Sequence, residues 1–124
     1  MRSPTPAPGH PVRGSSTGRP VMAAMDLLGR RWALRVLWEL GSEPMRALEL
    51  KDRCDDMSSS VLYQRLRELS EAGLVVRDGE GRFAITPLGG DLRGALEPLN
   101  AWSRRWAEAT HLAGEPAESM DLAG

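Results

Sequence analysis

Residues 57–74 read Met57-Ser58-Ser59-Ser60-Val61-Leu62-Tyr63-Gln64-Arg65-Leu66-Arg67-Glu68-Leu69-Ser70-Glu71-Ala72-Gly73-Leu74. The serines at the front are helix caps, because a side-chain oxygen can accept a backbone N–H that the first turn leaves without a partner. Gly73 at the back accepts the left-handed conformation that stops a helix. Between them Leu62, Leu66 and Leu69 recur at steps of four and three, one apolar stripe on a helix. A turn of about 100° per residue puts Ser60, Gln64 and Arg67 opposite that stripe, with Tyr63 and Ser59 at the edge. Hydroxyls, an amide and a guanidinium on one open face suit base edges and phosphates. The stretch therefore reads as the recognition helix of a helix-turn-helix, over 58–72. Ser58, Ser59, Ser60, Tyr63, Gln64 and Arg67 are the candidate DNA contacts, and the competing reading of Ser59, Ser60, Tyr63, Gln64 and Arg67 is a solvated helix face. Glu68 and Glu71 read as sharing the outward side, which confines any DNA contact to the first three turns. Arg65 lies toward the core stripe, as ready to bridge to Glu49, Asp52 or Asp55 as to touch DNA.

Working outward, Arg46 to Cys54 form a short helix with Ala47, Leu50 and Cys54 on one side, and Asp55-Asp56 make the turn into the serine cap. Two helices joined so tightly, the second exposing polar readers, fit the helix-turn-helix pattern. Leu74 to Arg77 and Arg82 to Ile85 are β-prone runs separated by Asp78-Gly79-Glu80-Gly81, a hairpin signature. Helices followed by a two-stranded hairpin predict a mainly α (α+β) winged helix-turn-helix, with the wing over 74–85. Arg77 and Arg82 flank the hairpin tip, within reach of phosphates beside a groove.

Upstream, Pro20 opens a short helix in which Val21, Ala24, Met25 and Leu28 share a face, and Gly29 closes it. Arg30 to Leu40 is apolar almost all round, so that helix should be buried on more than one side, a partner chain being one way to cover it. Arg30 and Arg31, at a helix N-terminus, are suited to gripping phosphate, and equally to being plain surface charge. Downstream, Thr86-Pro87 caps a long last helix, 87–110. Leu88, Leu92, Ala95, Leu99, Trp102 and Trp106 repeat there at helix-seam spacing, and Pro98 should kink or split it near residue 94. A helix ending in two tryptophans beyond a small domain is best explained as a dimer surface, against packing on its own domain.

Composition narrows the class. The chain has 124 residues, a formal net charge of −1 and 41% hydrophobic content, so any nucleic-acid contact must come from local charge arrangement. Residues 1–18 are Pro-, Gly- and Ser-rich with Arg2 and Arg13, and read as a disordered basic arm; 111–124 read as a disordered acidic tail. The single cysteine, Cys54, excludes an intrachain disulfide framework and reads as a buried, inert thiol. No apolar run is long enough for a membrane span, so the expected location is the cytoplasm. Catalysis finds no support: His10 and His111 lie in or near the tails, carboxylates are scattered, and residues 89–94 lack a phosphate loop's lysine and hydroxyl. No cofactor or metal is expected. Trp32, Trp38, Trp102 and Trp106 are candidates for an effector pocket between subunits, or for plain dimer core.

The chain also resembles a known family. Pro20-Val21, Leu27 to Trp32 and Leu37-Trp38-Glu39-Leu40 are similar to the start of HxlR-type bacterial transcriptional regulators, and Ser58 to Leu69 to their recognition helix. Gly73-Leu74-Val75, Thr86-Pro87-Leu88-Gly89 and Trp102 extend the likeness over residues 19–108. The resemblance implies a homodimer whose N- and C-terminal helices build the interface, here through Val21, Met25, Leu28, Leu92, Leu99, Trp102 and Trp106. It further implies a recognition helix in the major groove of a pseudo-palindromic double-stranded operator, with a small-molecule effector possible. The sequence departs from the family in three places. Arg19 stands where the family has the cysteine that some members use as a thiol sensor. The hairpin is several residues shorter, and the helix-breaking proline is Pro98 where the family's falls nearer Gly94. The short wing and near-neutral charge also fit a winged-helix protein-interaction or ligand-sensing module without specific DNA binding.

Overall fold

The computed structural model describes residues 4–41 and 43–110. Five helices and one hairpin follow in order: α1 Pro20–Leu28, α2 Ala33–Leu40, α3 Ala47–Arg53, α4 Ser59–Glu71, β1 Val75–Arg77, β2 Phe83–Ile85 and α5 Pro87–Ala109. The predicted winged helix is present, with each element inside or within two or three residues of its expected span. The acidic tail 111–124 and His111 lie outside the described residues.

The apolar-all-round helix, α2, is the centre of the domain. Val36, Leu37, Trp38 and Leu40 are buried, and α1, α3, α4, α5 and β2 all pack against it. Most of its apolar surface is therefore covered within one chain, while Leu34 stays partly exposed. Around it close Met45, Leu50, Cys54, Leu62, Leu66, Leu69, Val75 and Phe83. At roughly 1.5–3 kcal/mol for each large aliphatic side chain removed from water, this cluster outweighs any local propensity in the short elements. α3 is seven residues long and would not persist alone.

The helix that the sequence starts at Arg30 starts three residues later. Residues 30–32 form an elbow instead, and Trp32 takes a left-handed backbone, φ 74°, unusual for a bulky residue. The turn between α3 and α4 also uses left-handed residues, Asp55 and Asp56, both at φ 56°. Aspartate tolerates this region, and here Lys51 fixes the turn: its carbonyl accepts the Asp56 N–H at 3.0 Å and its ammonium meets the Asp56 carboxylate at 2.6 Å. α4 then starts on Ser58, whose Oγ accepts the Val61 N–H at 3.3 Å, and ends before Gly73 at φ 82°.

The wing is antiparallel, with Val75 opposite Ile85, Val76 opposite Ala84 and Arg77 opposite Phe83. Met45 adds a one-residue third strand by exchanging two backbone bonds with Phe83, at 2.7 and 2.9 Å. α5 begins on Thr86, whose hydroxyl accepts the Gly89 N–H and donates to the Gly73 carbonyl. It runs as one helix through Pro98, without the split expected near residue 94. Pro98 and Gly94 are both on the exposed side, so the Gly94 carbonyl that loses its intrahelical donor faces water.

The Pro/Gly/Ser-rich stretch departs from its expected disorder over the described residues 4–18. It folds back in turns, with the Gly9 N–H on the Gly18 carbonyl at 2.9 Å and a Val12–Ser15 bridge, and it buries Pro6. Polar anchors rather than apolar area hold it: the Thr5 hydroxyl donates to Glu71, an Arg30 N–H to the Pro4 carbonyl, and the Arg13 backbone N–H to Asp26.

Two adjacent glycines in the first turn of α5 give opposite predictions. A Cβ on Gly89 would overlap the Leu74 carbonyl oxygen and Cγ1 of Ile85, whereas one on Gly90 meets nothing. Gly89→Ala should lower stability by about 1–3 kcal/mol, and Gly90→Ala should raise it by up to about 1 kcal/mol through helix propensity. Urea unfolding midpoints of the two variants check this; equal shifts would show that the contact of α5 with Leu74 and Ile85 is not as tight as described.

Candidate nucleic-acid interface

The recognition helix α4 presents four longitudinal faces. Leu62, Leu66 and Leu69 are buried in the core as predicted. Ser60, Gln64, Arg67 and Glu71 line the opposite side, flanked on one edge by Ser59 and by Tyr63, which is 51% exposed. Ser58 and Ser60 share a hydroxyl contact of 2.9 Å, so one is committed to the cap while Ser60 remains open to solvent. Arg67 lies 3.9 Å from Glu71, a loose pair at the surface that leaves its guanidinium available.

The fourth face corrects the sequence reading. Glu68 is buried, 1% exposed, and not outward. One carboxylate oxygen meets Arg30 at 2.5 Å, and the other meets Arg65 at 2.5 Å. Arg65 continues to the Arg31 carbonyl through Nε at 2.7 Å. Arg65 thus bridges neither Glu49, Asp52 nor Asp55, and is no base reader. Val61, Arg65, Glu68 and Ala72, spaced four, three and four, form a second covered flank, in which Arg65 and Glu68 meet the elbow and Val61 and Ala72 pack on the core. A mixed apolar and charged stripe at helical spacing was the available signal.

Beside Gln64 a concavity of about 670 Å³ opens, lined by Arg13, Arg30, Arg31 and Arg65 with Asp26 the only acid. Arg31 is exposed and its guanidinium lies over the Trp32 ring, 5.8 Å from the centroid, while the Arg13 guanidinium makes only a 4.0 Å contact with Asp26. A chain of net charge −1 therefore concentrates cationic groups beside the reading face. Arg13, read from sequence as part of a disordered basic arm, belongs to this surface only because the N-terminal segment folds back.

The wing is less basic than its sequence suggests. Arg82 is held by Asp78 at 3.0 Å and by Glu80 at 3.3 Å, so its charge is already answered. Asp78 also accepts the backbone N–H groups of Arg82 and Glu80, which hold its carboxyl below the usual carboxylate range. Arg77 stacks on Phe83, 5.2 Å from its centroid, without an ion pair among the described residues. Arg46, unmarked in the sequence, approaches the same tip: a Cβ on Gly81 would lie 3.6 Å from its guanidinium and 3.9 Å from that of Arg77.

The residues expected at a dimer surface divide. Val21, Met25, Leu99, Trp102 and Trp106 are about half exposed, with the two tryptophan rings stacked at 5.6 Å. Leu28 and Leu92 instead pack against the chain's own core. Trp38 is buried beneath Arg93, at 4.6 Å, whereas Trp102 and Trp106 are half exposed on α5.

A capped polar helix, joined by a tight turn to a preceding helix and followed by a hairpin, defines a winged helix-turn-helix DNA-binding domain. The family model for the HxlR-like helix-turn-helix matches residues 27–111, and the chain belongs to that family of transcriptional regulators. It is 32% identical over 96 residues to the HTH-type transcriptional regulator YkvN of Bacillus subtilis, covering 73% of this chain and 81% of that one. Among solved structures, quinone-bound YodB of B. subtilis superposes with a TM-score of 0.64 at 29% identity, covering 69% of this chain and 97% of that one. An HxlR family factor from Thermoplasma volcanium superposes at 0.63 with 26% identity, covering 72% and 85%. No described helix is long and apolar enough to cross a membrane.

Two outcomes follow from the buried groups. Glu68→Ala leaves two guanidiniums facing each other out of water and should cost about 3–5 kcal/mol, whereas Arg67→Ala on the open face should cost less than about 0.5 kcal/mol. Thermal unfolding of both reads the difference. Burial pushes the Cys54 thiol up to about 11, against which Arg35 acts in the opposite sense. The unfolded thiol loses its proton near 9 and the folded one only near 11, so this group's contribution to stability is intact below 9 and falls as pH rises through that window. Alkylation of native protein at pH 8 should be slower than that of urea-unfolded protein by about 100-fold or more, the ratio of thiolate fractions. Comparable rates would place Cys54 at the surface.

Proposed function

We propose that the protein is a homodimeric, sequence-specific transcriptional regulator that occupies a pseudo-palindromic operator. The observation that carries this is the juxtaposition of an open polar face on α4 with the arginine-lined concavity beside Gln64. In this reading Ser59, Ser60, Tyr63, Gln64 and Arg67 enter the major groove and read base edges. Ser58 caps the helix that carries them, while Arg31 and Arg13 grip the flanking backbone. Arg77, with Arg46, is the wing's phosphate contact, a role that Arg82 loses to Asp78 and Glu80.

Val21, Met25, Leu99, Trp102 and Trp106 form the dimer surface, an apolar area too exposed to leave in water on so small a domain. Two-fold symmetry then sets the recognition helices about one DNA turn, ~34 Å, apart. Regulators of this kind act in the cytoplasm. A quinone is bound to YodB; here Arg19 occupies the position of the family's sensing cysteine, so an effector of this chain acts without that thiol.

The second reading, a winged-helix module that binds protein or ligand without specific DNA affinity, is favoured by the short wing, the near-neutral charge and the pairing of Arg82 within the wing.

Gel shifts against the DNA upstream of the protein's own gene separate the two, and absence of a complex at low salt would sink the regulator. Given binding, Gln64→Ala and Arg67→Ala should each lose about 1–3 kcal/mol of discrimination between operator and scrambled DNA. Arg31→Ala should weaken both DNAs alike and flatten the salt slope by about one. Arg82→Ala should change little, because its charge is satisfied within the wing. Sedimentation of Trp106→Glu should show a monomer where the parent chain sediments as a dimer.

A further inference from the structure

A second cavity, of about 800 Å³, lies on the other side of α1, between that helix, the end of α4 and the start of α5. Its walls are apolar, built from Ala23, Leu27, Ala72, Leu74, Leu88 and Leu92, and residues 5–8 of the folded-back N-terminal segment close one side with Pro6. That volume is in the range that holds a drug-sized molecule, and the lining is of the kind that binds one: an apolar wall with few charges.

Those charges are Glu71 and Asp91, both acidic, and no basic residue lines the cavity. Glu71 is partly answered, since it accepts the Thr5 hydroxyl and lies 3.9 Å from Arg67. Asp91 makes no ion pair among the described residues. The contrast with the concavity beside Gln64 is one of sign: four arginines and one aspartate there, two carboxylates here. A hydrophobic anion entering this cavity meets an unanswered carboxylate and no cation, whereas a hydrophobic body with one positive charge meets its complement.

We infer that this cavity binds a lipophilic monocation, with Asp91 as its counter-charge. The occupant would sit against the last turn of the recognition helix and against the strap that Thr5 and Pro4 tie to Glu71 and Arg30. Arg30 is the same residue that holds Glu68. The site thus adjoins two of the contacts that set the position of α4.

The test uses tetraphenylphosphonium and tetraphenylborate, ions of nearly one shape and opposite charge, titrated calorimetrically into the full chain without DNA. Binding is therefore read independently of the operator proposal, and either can fail alone. Saturable phosphonium binding, about tenfold or more tighter than borate, is expected, with the preference lost in Asp91→Asn and kept in Asp52→Asn. Ala24→Phe, which fills the cavity mouth, should abolish binding; should that variant fail to fold, the surface change Asp91→Asn still decides. Equal binding of the two ions, or none, overturns the inference. So does phosphonium binding that survives Ala24→Phe but disappears in Trp106→Ala, which would put the ion on the exposed tryptophans. A shift in oligomeric mass of Ala24→Phe with phosphonium binding unchanged would mean that a second copy of the chain covers this face, and would also overturn it.

Discussion

The carboxylate of Glu68, out of water between Arg30 and Arg65, fixes how the recognition helix sits on the rest of the domain. Apolar packing of Leu62, Leu66 and Leu69 keeps α4 on the core, but it is non-directional and tolerates rotation or sliding. The charged hydrogen bonds that cross to the elbow, from Arg30 to Glu68 and from Arg65 to the Arg31 carbonyl, do not. Arg65 carries the constraint to the Arg31 carbonyl, and the elbow at residues 30–32 adopts a left-handed Trp32 to present these groups. A buried pair of this kind is weak evidence of net stabilisation, since desolvating the three charges offsets most of their attraction. What it contributes is a defined geometry between α1, the elbow and α4.

That geometry has a consequence for charge. With Arg30 and Arg65 turned inward on Glu68, the exposed cations near the reading face are Arg31 and Arg13, and with Arg82 tied to the wing, Arg77 and Arg46 serve its tip. A nearly neutral chain thereby divides into a cationic side along α4 and an acidic, apolar cavity behind α1. The two surfaces share α4 as a wall, one at its N-terminal half and the other at its last turn.

Much of this was legible from the residues. The leucine stripe, the serine cap, the Asp-Gly-Glu-Gly hairpin and the Thr-Pro start of α5 are local signals, decided within a few residues by hydrogen bonding and backbone freedom, and each was found where it was expected. The errors fell where distant segments meet. Glu68 reads as outward because only the core stripe is visible as apolar periodicity. Arg82 reads as a phosphate contact because the hairpin signature places the turn without saying that the Asp78 and Glu80 carboxylates close on its guanidinium. The arm reads as disordered because it lacks apolar residues, yet its anchors are polar groups on α1, α4 and the elbow.

By itself, then, the sequence determined the class: a helix-turn-helix with a short wing and a long terminal helix, because periodicity and caps are properties of the chain over one or two turns. Tertiary structure alone decided which charges are spent internally and which stay exposed. An arginine's role depends on the carboxylate it meets, and Glu68 meets Arg30, 38 positions before it, as well as Arg65, three before it. Pairing across such a separation is set by packing around α2, which no local pattern encodes.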